Sequence, residues 1–310
     1  MHISIQGLHK KYPNGNQALR DVNLDIKDGM FGLLGPNGAG KSSLIRILVS
    51  LMKPTSGKIL VNGKDAAKNR SYLRGMLGYL PQDFSFFSNL KTYEFLDYSA
   101  RLAGMNSRRK RNQAVDQLLE DVGLFDVRSR KASKLSGGMK RRLGIAQALI
   151  NEPKIIIVDE PTTGLDPEER IRFRNLLARI GANDVSIILS THIVADISSI
   201  CEHMALLNKG QIAFSGPPEE LIKQAQGHVW SIFASEKEYL EVNQKYEVVA
   251  TVMMKEGWKI TVVADEVKGY KAEQIQPNLE HAYVYFVEHT MKGKEKRSER
   301  REKNRGERNT

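Results

Sequence analysis

Eight consecutive residues, Gly35-Pro36-Asn37-Gly38-Ala39-Gly40-Lys41-Ser42, have the spacing G-x-x-x-x-G-K-[ST]. Glycines at those positions let a backbone turn tightly and aim successive N–H groups at phosphate oxygens. Lys41 then reaches the β- and γ-phosphates of a nucleoside triphosphate, and the Ser42 hydroxyl is placed for Mg²⁺. The apolar run Met30–Leu34 precedes this loop, and Leu44, Ile45, Ile47, Leu48 and Leu51 follow it at helical spacing. The loop therefore joins a strand to a helix, whose positive N-terminal end adds to the anion site.

A second constellation is Ile155-Ile156-Ile157-Val158-Asp159-Glu160-Pro161. An apolar strand carries two carboxylates at its C-terminal end, where open α/β sheets bind ligands. Adjacent strand residues point to opposite sides, so the two acids take different jobs. Asp159 is the candidate for Mg²⁺, through water, and Glu160 the general base that polarises the attacking water. A third signal is Leu135-Ser136-Gly137-Gly138-Met139, followed by Lys140-Arg141-Arg142. Ser136 as N-cap and two glycines leave the first N–H groups of a helix bare, a second anion site. One nucleotide seldom needs two such sites from one chain.

The elements that must hold these residues follow from periodicity. Val22, Leu24 and Ile26 alternate with polar residues as a half-buried strand. Ile155–Val158 and Ser186–Ser190 are short apolar runs separated by a helical stretch around Ile171 to Ile180. That alternation predicts an α/β fold with a mostly parallel sheet covered on both faces. The charged, helical texture from Asp83 to Asn151 reads as an insertion. Beyond Gly227, Val229–Phe233, Glu247–Met253 and Trp258–Ala264 read as strands, the last two joined through Met254-Lys255-Glu256-Gly257. Asn278 caps a helix with Leu279, Tyr283, Phe286 and Val287 on one face. These make a small α+β appendage.

The 310 residues are 41% hydrophobic and 27% charged with 10 prolines, a composition that buries a core. No apolar run reaches the roughly 18 residues of a membrane span, and the start, Met1 to Gln6, shows no secretory leader. Cys201, the one cysteine, makes neither an internal disulfide nor a metal cluster, which fits a reducing compartment. Of the net charge of +11, nine Lys or Arg against four Glu place +5 in residues 291–310. That tail reads as disordered and solvated, because no apolar residue follows Met291.

Over about residues 1–222 the chain resembles the nucleotide-binding subunit of an ATP-binding cassette (ABC) transporter. The resemblance implies a P-loop NTPase core over 1–222; the helical insertion at about 83–151, the small α+β domain at 228–290 and the basic tail at 291–310 are the texture readings above. It makes Gly35, Pro36, Asn37, Gly38, Ala39, Gly40, Lys41, Ser42 and Ser43 the phosphate loop. Tyr12, before the first long strand, fits the aromatic that stacks on adenine. Gln82 fits the glutamine that touches Mg²⁺ and the attacking water and reports to the membrane partner. Leu135–Met139 resembles the family signature, Gly164-Leu165-Asp166 the loop that crosses the dimer interface, and His192 the histidine that senses the γ-phosphate. Met139 departs from the glutamine of many members, which leaves the Gly137 and Gly138 amides untouched.

ATP and Mg²⁺ are the implied cofactors. The implied assembly is a head-to-tail pair, a homodimer or two homologous cassettes, with Ser136, Gly137 and Gly138 of each chain over the other's nucleotide. Transport then needs a separate integral membrane permease, which places the chain peripherally at the cytoplasmic face of the membrane. Its docking surface is expected between the Gln82 loop and the insertion, with Phe84, Phe86 and Phe87 as contacts or as core. One cassette, Lys140-Arg141-Arg142 and a C-terminal appendage resemble exporter subunits. The alternatives are a soluble cassette ATPase on ribosome or nucleic acid, and an importer ATPase. The basic charge favours the former mildly, but a single cassette without a coiled-coil insertion speaks against it, and no specific nucleic acid is expected.

Overall fold

The computed structural model describes residues 1–85, 89–182 and 185–291. Backbone contacts divide the chain into Met1–Ser215 and Gly216–Thr310, seven residues before the boundary expected from the sequence. The basic tail lies outside the described residues, apart from the backbone of Met291.

The first unit holds two sheets. β1 (Ile3–Lys11), β2 (Gln17–Ile26), β4 (Ser56–Val61) and β5 (Lys64–Asp65) form an antiparallel sheet in the order β2-β1-β4-β5. Val22, Leu24 and Ile26 are buried on β2, as their alternation predicts, and Leu19 is buried with them. The central sheet has the order β10-β9-β3-β8-β7-β6, from β3 (Met30–Leu34), β6 (Leu77–Leu80), β7 (Ile155–Asp159), β8 (Ser186–Thr191), β9 (His203–Asn208) and β10 (Gln211–Gly216). Its β6–β7, β7–β8, β8–β3 and β3–β9 pairs are parallel. Strands β3, β7 and β8 are buried along their whole length, which is why they read as unbroken apolar runs.

Helix α1 (Lys41–Leu48) and the antiparallel sheet share one core with the central sheet, in which Ile3, Ile5, Leu44 and Ile45 meet Ile157 and Ile188. Each such side chain contributes about 1.5–3 kcal/mol by leaving water. Helices α6 (Pro167–Gly181) and α7 (Val194–Ile200) also pack on the sheet. At Gly32 the approach is so close that a Cβ would lie 2.4 Å from Ile197 Cδ1. In register, Asp159 pairs with Ser190 and Leu34 with Thr191, so the loops after β3, β7 and β8 emerge at one edge.

Between β6 and β7 stand α3 (Thr92–Leu102), α4 (Arg108–Asp121) and α5 (Gly137–Leu149), with α2 (Arg70–Met76) before β6. Buried Arg111 clasps the insertion: Nε donates to Asp97 Oδ1 at 2.7 Å and Nη1 to the Met105 and Asn106 carbonyls at 2.9 Å. Phe84 meets the Phe95 ring edge-on at 6.1 Å and lies against Gly144 of α5. Phe84 is half-buried and packs within the insertion, while Phe86 and Phe87 lie outside the described residues.

The second unit holds α8 (Pro218–Gln224), β11 (Val229–Ala234), α9 (Glu236–Lys245), β12 (Glu247–Met254), β13 (Gly257–Val263), β14 (Lys271–Gln274) and α10 (Leu279–Tyr285). Its antiparallel sheet runs β12-β13-β11-β14, and Met254 pairs with Gly257 across the expected hairpin loop. Asn278 caps α10 by accepting from His281 N at 2.9 Å. Helix α9 was not anticipated, although Ser235 and Glu238 form a capping box at its start. Among the described residues no helix is long and apolar enough to cross a membrane.

Candidate functional site

The loop after β3 is shaped by two glycines that nothing else can replace. A Cβ at Gly35 would sit 2.2 Å from the Leu207 carbonyl oxygen, and one at Gly40 2.5 Å from that of Ala18. Gly40 is also left-handed, with φ of 107°, and delivers the chain into α1 without a side-chain cap. The first N–H groups of α1 are thus left for a ligand. Lys41 folds back over the loop: Nζ donates to the carbonyls of Gly35 at 2.7 Å and Pro36 at 3.1 Å, and pairs with Glu160 Oε1 at 3.1 Å.

Glu160 is where strand logic fails. It is not the next residue of an extended strand but a left-handed one, with φ of 46°, and its N–H donates to Ser190 O at 2.9 Å. Asp159 and Glu160 thus part company through a backbone turn rather than through strand alternation, and both are buried. Glu160 Oε2 faces His192 Nδ1 at 3.1 Å and accepts from Thr163 Oγ1 at 3.4 Å. With its proton on Nδ1, His192 donates to the carboxylate.

Asp159 lies beneath, 3% exposed, and its Oδ1 has no hydrogen-bond partner. Burial pushes its carboxyl above the usual carboxylate range and the Glu160 charge adds to this, against the pull of the Ser190 and Ser42 hydroxyls and of Lys41. An orphaned carboxylate oxygen beside a serine hydroxyl suits a hard cation such as Mg²⁺. Among the described residues no group of three His, Cys, Asp or Glu is placed to hold a metal. A cation here would rely on hydroxyl, amide, carboxylate and phosphate oxygens.

An open cleft of about 870 Å³ gathers these groups. Tyr12, Asn37, Gly38, Gly40, Lys41, Ser42, Ser43, Gln82, Glu160 and His192 all line it. Gly35 and Ala39 are buried in the same loop, and Pro36 is exposed on it. Tyr12 follows β1, rather than preceding the first long strand, and its hydroxyl lies 3.0 Å from Ser43 Oγ. Ser136, Gly137, Gly138 and Asp166 are not part of this cleft. Ser136 caps α5 by accepting from Met139 N at 3.2 Å, and Asp166 caps α6 by accepting from Glu169 N at 2.9 Å. The two caps are neighbours, since a Cβ at Gly138 would meet Glu169 Oε2 at 2.0 Å.

Residues 19–163 match the family model described as ABC transporter. The uncharacterized ABC transporter ATP-binding protein YxlF of Bacillus subtilis is 35% identical over 236 residues, 76% of this chain and 77% of that protein. The chain belongs to the ABC transporter family. It is an ATP-binding ATPase subunit of that family. The bacitracin transport ATP-binding protein BcrA of Bacillus licheniformis is 33% identical, over 83% of this chain and 80% of its own. The methionine import ATP-binding protein MetN of Cupriavidus metallidurans is 37% identical, over 73% and 68%. Among solved structures, cbiO1 of Clostridium perfringens, part of the transporter complex cbiONQ, superposes with a TM-score of 0.65 at 29% identity, over 78% of this chain and 94% of its own. The cassette MJ0796, dimeric with ADP and Pi, gives 0.63 at 27%, over 69% and 98%.

In this ABC protein the structure adds residues to the site that the motifs do not mark. Thr163 supports Glu160, and Arg20 and Lys209 line the cleft. Arg141 of α5 donates to the backbone carbonyl of Gln82 at 2.5 Å and of Pro81 at 3.3 Å. It ties the helix that begins at Ser136 to the loop that carries Gln82. Its sequence signal was membership of the basic run Lys140-Arg141-Arg142 after the signature, which does not point to the Gln82 loop.

Proposed function

We propose that this ATPase powers a separate integral membrane permease, for export, through a head-to-tail pair of cassettes that encloses two ATP molecules. The observation that carries the reading is the convergence of Lys41, Glu160 and His192 in one cleft at the shared edge of β3, β7 and β8. ATP phosphates fit the amides of Gly35 to Ser43 and the start of α1, and Tyr12 offers its ring to adenine. Lys41 leaves Glu160 for the β- and γ-phosphates. Glu160, freed, accepts a proton from the attacking water, and His192 holds its carboxylate in place and reads the γ-phosphate. Ser42, Asp159 and Gln82 would hold Mg²⁺, which supplies positive charge to the β- and γ-phosphate oxygens.

Ser136, Gly137 and Gly138, with Asp166 beside them, stand outside the cleft of their own chain. In the proposed pair they face the partner's nucleotide, which explains a second anion site on a chain with one phosphate loop. The pair is a homodimer or two homologous cassettes, held peripherally at the cytoplasmic face of the membrane by its permease, with no specific nucleic acid as partner. The dimeric ADP-bound cassette among its structural neighbours supports the pairing, and the membership of cbiO1 in a complex supports the permease. Similarity to MetN favours import as the second reading, and the direction of ATP-driven flux in vesicles with the permease decides between the two.

The test of the site is Glu160→Gln. Removing the base is expected to slow hydrolysis by about a hundredfold or more while ATP binding survives. Near-normal turnover in that variant removes Glu160 from the role of base.

A further inference from the structure

Asp196 is fully buried on α7, and neither the nucleotide nor the metal reading gives it a task. Its Oδ2 accepts two hydroxyls, from Thr162 Oγ1 at 2.5 Å and from Thr191 Oγ1 at 3.2 Å, both of them buried residues. Thr162 lies two residues after Glu160, in the loop that leaves β7. Thr191 ends β8 and immediately precedes His192, and its Oγ1 also accepts from Ile193 N at 2.9 Å. One oxygen atom thus joins, from behind, the two loops whose side chains meet in front at 3.1 Å as Glu160 and His192.

We propose that Asp196 is a positioning residue for hydrolysis, a latch that fixes the Glu160 loop against the His192 loop. The argument is geometric. Glu160 holds a left-handed backbone that a non-glycine residue keeps only where its surroundings impose it. One support is the bond from Glu160 N to Ser190 O, and the next tie along both chains is the shared carboxylate oxygen of Asp196. A buried hydrogen bond holds direction as well as distance, and misplacing a reacting group by about 1 Å can cost a hundredfold in rate. Losing the latch would therefore loosen the water-activating pair, while the phosphate loop keeps its backbone tie from Gly35 N to Thr191 O at 3.3 Å.

This inference rests on the Glu160 and His192 reading, and the experiment separates the two. Steady-state ATPase activity and ATP affinity are measured for Asp196→Ala, Asp196→Asn, Thr162→Val and His192→Ala, and for Asp196→Ala combined with His192→Ala. Asp196→Ala is expected to lower kcat by about tenfold or more, with KM and ATP affinity within about threefold of the parent. Asp196→Asn, whose amide oxygen can accept both hydroxyls, is expected to restore most of the rate. In the His192→Ala background, Asp196→Ala is expected to add little, because both act on one pair. If Asp196→Ala does not fold, Thr162→Val carries the same expectations of lowered kcat, retained affinity and non-additivity with His192→Ala. Full kcat in the folded variant, or an equal fold-loss in both backgrounds, overturns the latch. A normal rate in His192→Ala alone instead overturns the reading of the site beneath it.

Discussion

Lys41 and Glu160 form a buried ion pair, 4% and 7% exposed and 3.1 Å apart. At an effective dielectric of about 20, charges at that separation attract by about 5 kcal/mol. Withdrawing both ions from water offsets much of this, so a net coupling of about 2 kcal/mol remains. Lys41→Met leaves a buried carboxylate with only Thr163 and His192 as partners, which costs about 3 kcal/mol. Glu160→Gln is milder, since Lys41 still donates to the Gly35 and Pro36 carbonyls. The double variant should then be less destabilised than the sum of the two by about 2 kcal/mol. Both tryptophans, Trp230 and Trp258, lie in the second unit, so their fluorescence reads the wrong half of the chain. Amide hydrogen exchange of β3 and β7 in a denaturant series reads the right one. Additivity to within about 0.5 kcal/mol would refute the reasoning, and with it the idea that triphosphate must draw Lys41 away from Glu160.

Cys201 tests the packing behind the site. Burial, helped by the charges of Asp196 and Glu202, pushes its thiol up to about 12, so at pH 8 the native protein should alkylate about a thousandfold more slowly than the urea-unfolded one. Comparable labelling of the two by mass spectrometry would contradict that burial. Asp97 tests the insertion: burial raises its carboxyl, but the bond and charge of Arg111, with Arg101, prevail and hold it below 3.8. A depressed carboxyl stabilises the fold above its unfolded pKa and loses that contribution as pH falls through the folded value. Asp97→Asn should therefore cost about 1–2 kcal/mol at pH 7, and the difference from the parent should shrink as pH falls below about 4, as read by urea unfolding.

The phosphate loop and its setting were legible because their chemistry is local. Gly35 and Gly40 must be glycine for backbone reasons, and the apolar runs at β3, β7 and β8 announce strands covered on both faces. Strand β1 was not foreseen, because its isoleucines and lysines reveal a sheet only once β2 and β4 flank it. The latch was out of reach for the same reason: Thr162 and Asp196 are 34 residues apart, and only the packing of α7 brings them together.

Glu160 shows most clearly where local rules end. A residue before proline is pushed toward extended backbone, and a non-glycine residue avoids positive φ, so the chain around Pro161 predicts one more strand position. The structure gives Glu160 a φ of 46° instead. Besides Thr163 of its own loop, three contacts from elsewhere hold it there: its N–H on Ser190 O, its Oε1 on Lys41 and its Oε2 on His192. The partners come from β8, from the start of α1 and from the loop after β8, and two of the three are groups that a nucleotide would engage. With this left-handed turn the carboxylate at the end of β7 reaches Lys41 of the phosphate loop. Local propensity loses here to contacts that exist only in the folded chain, at a residue the proposed chemistry needs most.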